Sequence, residues 1–271
     1  MTRARVDDLL VAAGLYPDHA AAQRAVLAGE VRLADAQSTL LDKPGQSIDA
    51  DSSFACRARR RFVSRGGEKL AGALADFDYP VAGKRCIDVG ASTGGFTDCL
   101  LQAGAASVVA VDVAYGIIDW KLRGDPRVTV VERCNIRTAD INALGAPFDL
   151  LVADLSFISL ATVYPALQRC TQPRGDMLLL VKPQFEAPRA KVGTGGVVTE
   201  AQTQLSVLER LEEIVTQSGA VVRGWTHSPL KGAKGNIEFW LHVGAAGERS
   251  ACDNRDDTTR SVVERAHERL D

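Results

Sequence analysis

No two cysteines in this 271-residue chain are spaced C-x-x-C. The six of them, at 56, 86, 99, 134, 170 and 252, lie 30, 13, 35, 36 and 82 residues apart, and such spacings build no zinc-ligand cluster. Reduced, mostly buried thiols in a cytosolic protein are the plain reading, with no metal expected. Histidine is scarce, with four residues scattered at 19, 227, 242 and 267 and none next to a partner that suggests ligation or base work. No apolar run approaches the roughly 20 residues of a membrane span. The opening MTRARVDDLLVAAGL sets Asp7 and Asp8 directly before its only apolar stretch, unlike a signal peptide. Membrane and secreted classes are therefore not expected, and a cytoplasmic location is. An excess of positive charge is also missing: 32 basic against 34 acidic residues leave −2, which by itself argues against a nucleic-acid binder. No repeat or low-complexity tract occurs. What remains, 46% apolar and 24% charged, is ordinary globular composition, long enough for one large or two ordinary domains.

Locally the charge is uneven. Between Arg57 and Lys69 the chain reads RARRRFVSRGGEK, six basic residues and one acid. Such a cluster marks either a phosphate-contacting surface or a solvated linker. Ahead of it, Val6, Leu9, Leu10 and Ala13 form a helical stripe ending at Gly14, and Ala20 to Leu27 predict a second helix closed by Gly29. The strand-like VRL, a Pro44-Gly45 turn and SIDA follow. Two short helices and small strands suit a recognition module better than a catalytic domain, and Arg3, Arg5, Arg24 and Arg32 are placed to share one face. The spacing predicts a unit over 1–56 and a linker over 57–65. A catalytic domain then runs over 66–246, before a polar loop and a short amphipathic helix over 247–271 built on Val262, Val263, Ala266 and Leu270.

From residue 84 the rhythm becomes strand and helix in alternation. RCIDVG, SVVAVDV, VTVVER, DLLVADLS and DMLLLVK read as short strands buried on both faces of a parallel sheet. After a helix near 200–217, AVVRGWTH and NIEFWLHV read as a closing antiparallel pair. Asp88-Val-Gly90-Ala-Ser92-Thr93-Gly94-Gly95-Phe96 follows the first strand and opens a helix, and Asp112 ends the second strand. Glycines there let backbone approach a ligand, and a carboxylate at that strand end accepts both hydroxyls of a ribose. Dinucleotide binding uses the same geometry, but the strict G-x-G-x-x-G is absent. The loop instead resembles the S-adenosylmethionine signature D-x-G-x-x-x-G-G.

Further resemblances follow. Arg5, Asp7, Leu9, Leu10, Gly14, Leu15, Gly29 and Val31 resemble the S4-type RNA-binding domain, with Asp18-His19 where that family has Ser-Arg. Lys69 in SRGGEKL, Asp154 in ADLSFIS, Lys182 in LVKPQFE and Glu238 in KGNIEFW resemble in order and context the Lys-Asp-Lys-Glu tetrad of FtsJ-like ribose 2'-O-methyltransferases. Together these blocks resemble TlyA, a family of bacterial ribosomal-RNA cytidine 2'-O-methyltransferases long labelled hemolysins. Phe62 stands where that family's linker often has Trp.

The resemblance implies a class I, Rossmann-like α/β fold with a seven-stranded sheet, and a small N-terminal α+β RNA-binding domain. It implies S-adenosylmethionine as donor and ribosomal RNA, 16S or 23S or both, in ribosomal subunits as substrate. Asp88, Gly90, Ser92, Thr93, Gly94, Gly95, Phe96, Asp112 and Asn135 become the donor-site candidates, and Arg3, Arg5, Arg24, Arg59, Arg60, Arg61 and Arg65 the RNA contacts. Lys69 is expected just ahead of the domain's first helix.

A ribose hydroxyl is a poor nucleophile while protonated, and free lysine has a pKa of about 10.4. A lysine base therefore needs burial or a neighbouring cation. In one division of labour Lys69 supplies that cation for Lys182, Asp154 orients the amine, and Glu238 positions Lys69 or the ribose. In the other, Lys182 only steers the hydroxyl. Phe157, Phe185 and Trp240 are candidates for stacking on a flipped base, core packing being the expectation for at least two of them. KVGTGGVV (191–198) reads as a lid or a mobile loop. Rival readings are a pore-forming hemolysin, a non-catalytic RNA-binding assembly factor, and a methyltransferase acting on a small molecule or protein.

Overall fold

Residues 2–56, 61–244 and 258–270 are described by the computed structural model of the chain, which divides between Arg60 and Arg61 into two units. In the first, β1 (Arg3–Arg5) leads into α1 (Val6–Ala12), then α2 (His19–Leu27), β2 (Val31–Leu33), β3 (Ser47–Asp49) and β4 (Phe54–Cys56). β1 pairs with β3 and β2 with β4, both antiparallel. Of the predicted stripe, Val6 and Leu10 are buried, with Ala22, Ala25, Val26, Val31, Leu41 and Ile48 around them. Ala13 is exposed because α1 has already ended. Asp18 accepts from the Ala21 amide at 2.7 Å and so caps α2, a reason for an acid at that position. His19 pairs with Asp8 of α1 at 2.9 Å.

The second unit opens with α3 (Arg65–Asp76) and continues β5 (Arg85–Val89), α4 (Gly95–Gln102), β6 (Ser107–Val111), α5 (Trp120–Arg123), β7 (Val128–Val131), β8 (Phe148–Ala153) and α6 (Leu160–Cys170). β9 (Thr171–Val181), α7 (Pro183–Glu186), α8 (Ala201–Gln217), β10 (Val221–His227), β11 (Phe239–Gly244) and α9 (Thr259–Leu270) complete it. One seven-stranded sheet runs β10-β11-β9-β8-β5-β6-β7. β9, β8, β5, β6 and β7 pair parallel in that order, while β11 is antiparallel to both β9 and β10.

Alternation with period two sends Leu151, Ala153, Leu179 and Val181 to one face, under α6, α8 and α9. Leu150, Val152, Leu178 and Leu180 go to the other, under α3 and α4. Both faces are apolar, as a sheet covered on both sides requires. α9 joins this core through Val262, Val263 and Ala266. Residue 62 also departs from the expected linker: Phe62 is 3% exposed and packs beneath α3, so 61–65 belong to the second unit. Cys86, Cys99 and Cys170 are buried thiols, and burial pushes the first two up to about 12.

Candidate functional site

Strand order reverses between β5 and β8, and open α/β sheets bind ligands at the carboxyl ends of their strands where that happens. Gly90 lies at this point with φ +87°, and a Cβ there would come within 2.5 Å of the Asp154 carbonyl oxygen. Only glycine lets the two strand ends approach so closely in this backbone conformation.

Two cavities meet there, sharing Gly90, Ser92 and Asp154. The first, about 410 Å³, is lined by Asp112, Asn135, Ile117 and Phe157 among others. The second, about 190 Å³, lies against Ser64, Gly66, Lys69, Thr93, Gly95 and Phe96. Asp112 receives the Ser92 amide at 2.7 Å on Oδ2 and the Ala114 amide at 2.8 Å on Oδ1. Each oxygen keeps a lone pair for a ribose hydroxyl. Asn135 holds the Arg137 amide at 3.1 Å.

Asp88 and Gly94 are not among the lining residues. Asp88 is fully buried in β5, and its Oδ2 fastens the start of α4 through the Thr97 amide (2.9 Å) and hydroxyl (2.7 Å). Its Oδ1 is buried without a partner among the described residues, and burial pushes the carboxyl up to about 7. Gly94 precedes α4 in a left-handed conformation. Phe96 is largely core, with its ring 5.3 Å from that of Trp240. An elongated nucleoside carrying an ammonium and a carboxylate fits this donor set. Asp112 and Asn135 would take the nucleoside, and the paired amino ends of α3 and α4, the latter fastened from behind by Asp88, favour the carboxylate.

The four ionisable candidates come together as two ion pairs. Asp154 and Lys182 each stand one residue past the end of a neighbouring parallel strand, β8 and β9. Glu238 precedes β11, whose first residue, Phe239, lies opposite Val181, the last residue of β9. An antiparallel neighbour thus delivers its amino end where the parallel strands deliver their carboxyl ends. Lys69 does not precede the first helix, as the sequence suggested; it lies within α3, which begins four residues earlier because Ser64 caps it.

Lys69 Nζ donates to Glu238 Oε2 at 2.5 Å, with both side chains buried. Lys182 is paired with Asp154 and also donates to Ser156 Oγ at 2.9 Å. Burial pushes the Glu238 carboxyl above its ordinary range, opposed first by Lys69 and then by Lys182. Ser156 is a partner that sequence reasoning missed; a serine in a post-strand loop carries no signal of its own.

The aromatic candidates separate. Trp240 is fully buried, whereas Phe157 is 91% exposed at φ +63° with its ring centroid 5.3 Å from that of half-buried Phe185. Core packing accounts fully for Trp240 and in part for Phe185, while the Asp154–Ser159 loop turns Phe157 outward. The 191–198 loop is tied down: Asn236 Oδ1 accepts from the Val198 amide and its Nδ2 donates to the Gly196 carbonyl, each at 2.9 Å.

Of the arginines, Arg65 donates to the Lys231 carbonyl at 2.7 Å beside the second cavity. Arg61 lies 4.7 Å over the Phe62 ring. Arg3 bonds the Ser47 carbonyl, and Arg24 is exposed on α2. Arg5 grips buried Asp7 at 2.9 and 2.7 Å, holding that carboxyl far below its usual range. Arg59 and Arg60 lie outside the described residues. Among the described residues no cluster of three or more His, Cys, Asp or Glu could hold a metal, and no helix is long and apolar enough to cross a membrane.

A family model of FtsJ-like methyltransferases matches residues 62–245. The chain is 44% identical over 270 residues to the 16S/23S rRNA (cytidine-2'-O)-methyltransferase TlyA of Mycobacterium tuberculosis, covering 97% of this chain and 98% of that one. It is 35% identical over 239 residues to Hemolysin A of Brachyspira hyodysenteriae, covering 88% and 98%. A solved structure from Streptococcus thermophilus, of a protein carrying a hemolysin name, superposes with a TM-score of 0.73 at 39% identity. It covers 99% of this chain and 97% of its own.

Proposed function

The chain belongs to the FtsJ-like methyltransferase family, and from that premise we propose that it methylates the 2'-hydroxyl of cytidine ribose in ribosomal RNA, 16S or 23S or both, within ribosomal subunits. The observation that carries this reading is the pair of ion pairs, Lys69–Glu238 and Lys182–Asp154, set against cavities that suit the donor. S-adenosylmethionine, when bound, supplies an electrophilic methyl on a sulfonium.

The residues supply position and charge. Asp112 and Asn135 would hold the nucleoside end and the helix starts the amino-acid end, with Asp88 fixing the start of α4 from behind. Lys182, fixed by Asp154 and Ser156, is built as a directed hydrogen-bond donor, which favours its steering the 2'-oxygen in line with the methyl. Asp154 lines both cavities, so its carboxylate also faces developing positive charge. Glu238 keeps Lys69 extended beside the second cavity. The proton of the 2'-hydroxyl that accepts the methyl would pass to solvent or to the Glu238 carboxylate beside Lys69.

We assign residues 1–56 as an S4-type RNA-binding unit, with Arg3, Arg24, Arg59, Arg60, Arg61 and Arg65 contacting phosphates. Arg5 serves mainly to hold Asp7. Phe157 is the stacking surface for a flipped base, since it alone of the three aromatics is open. The proposed ribosomal substrate implies a cytoplasmic location.

Transfer of tritiated methyl from S-adenosylmethionine to purified unmodified 30S and 50S subunits tests the reading, with Lys182→Ala alongside. Label in ribosomal RNA that falls at least about a hundredfold in the variant is the expected result. A folded, donor-binding protein that labels neither particle would return the non-catalytic assembly factor as the better reading.

A further inference from the structure

Past the ends of β8 and β9, two segments run side by side and touch repeatedly. Lys182 holds Asp154 and Ser156, and the Phe185 ring lies against that of Phe157. Beyond these, Glu186 closes the row. Its Oε1 accepts from the Leu160 amide at 2.5 Å and its Oε2 from the Ser159 hydroxyl at 2.6 Å. The carboxylate is 8% exposed and belongs to α7, yet it sits on the first turn of α6, where free amides and the helix dipole attract negative charge. Arg210 of α8 supports the same charged form, against the burial that pushes this carboxyl up.

Between the two ends of this row lies Phe157, a bulky residue at φ +63° and 91% exposed. A phenylalanine in the left-handed region persists only where its surroundings hold it there. Its ring contact with half-buried Phe185 covers little of it, so the fixed points of the loop are Asp154 and Ser156 at one side and Ser159 and Leu160 at the other. Only the first pair belongs to the tetrad and its partner. The second depends on Glu186.

We propose that Glu186 is a positioning residue for methyl transfer: by clamping Ser159 and Leu160 to the segment that bears Lys182, it keeps Ser156 on the Lys182 amine and Phe157 at the edge of the donor cavity. The inference rests on the methyltransferase reading above. Loss of the clamp frees residues 155–159 to relax out of the left-handed turn, so the RNA step suffers while the far wall of the donor site, Asp112 and Asn135, stays in place.

The experiment measures kcat and KM for RNA, and donor affinity by calorimetry, in wild type, Glu186→Ala, Glu186→Gln, Phe157→Ala and the Glu186→Ala/Phe157→Ala double variant. Glu186→Ala is expected to lower kcat/KM for RNA by about tenfold to a hundredfold, with a smaller loss of donor affinity, since Leu155 to Ile158 line one wall of the donor cavity while Asp112 and Asn135 on the other wall are untouched. Glu186→Gln, which keeps an acceptor for the Leu160 amide, recovers part of the loss. With Phe157 already truncated, the Glu186 change costs less than it does in wild type, leaving only the part that acts through Ser156 and Lys182. Should Glu186→Ala fail to fold, the same comparisons run with Glu186→Gln. Unchanged transfer in the Glu186 variants overturns the proposal, as do losses that multiply with Phe157→Ala or an equal fall in donor affinity. Wild type on the same particles separates the two ideas: label there with a neutral Glu186 change removes only this role, and no wild-type label removes both.

Discussion

Burial pushes the Glu238 carboxyl up while Lys69, 2.5 Å away, pulls it back, and burial is the larger influence. An acid so raised takes up its proton at a higher pH than a free glutamate, whose pKa is about 4.3. Once neutral, it no longer holds the Lys69 ammonium by charge. Methyl transfer is therefore expected to fall on acidification before the ordinary glutamate range is reached. Glu238→Gln should be slower at neutral pH and lack that acid limb, read from kcat over a pH series. The four tetrad residues were legible as a set because each occurs in a distinctive string, and Asp154 and Lys182 could also be placed at strand ends. Their pairing was only partly legible. That Asp154 meets Lys182 follows from parallel neighbours, but Ser156 and Glu186 have no spacing that marks them, since their partners come from another strand's loop.

At the scale of elements, α3 shows propensity and packing in conflict. Gly67 lies inside that helix, where alanine is better by about 1 kcal/mol. A Cβ there, however, would fall 2.2 Å from Phe62 Cγ. Overpacking of a filled site costs about 1–3 kcal/mol, so the clash outweighs the propensity and Gly67→Ala is expected to destabilise. Urea unfolding checks this, and adding Phe62→Leu should return part of the loss. The longer helices are readable from their 3.6-residue apolar stripes, and the parallel strands as short apolar runs buried on both faces. β1 is not, because Arg3-Ala4-Arg5 has no apolar alternation and becomes a strand only by pairing with β3. Phe62 reads as linker in sequence because its neighbours are basic; its burial beneath a helix glycine is a tertiary fact.

For the whole molecule, Asp88 sets a pH dependence. The folded carboxyl lies at about 7 and an unfolded aspartate at about 3.9. Between these values the folded state binds a proton that the unfolded state has released, so stability present below that window is lost as pH rises through 7. Urea midpoints should decline from pH 5 to pH 8 by roughly 1 kcal/mol or more in stability, and Asp88→Asn should flatten the trend. Charge acts on the same scale. The chain carries −2 overall, so RNA affinity must come from local cations. Replacing Arg65 by Ala should weaken binding to any RNA sequence and reduce the slope of log affinity against log salt by about 1, measured by filter binding at several salt concentrations.

The Lys69–Glu238 contact also joins residues 169 apart in the chain. At roughly 5–20 residues per second, synthesis needs about ten to thirty seconds to span that interval. During that time a nascent chain already contains the glycine loop, Asp112, Asp154 and Lys182, all from strands whose parallel neighbours have been made, although β9 still lacks its β11 neighbour. β11 then pairs into the sheet between β9 and β10, and only its arrival delivers the fourth residue. The tetrad is thus completed only by the last strand of the sheet to be made, and a product truncated before residue 238 would lack its fourth member and leave β10 without its neighbour.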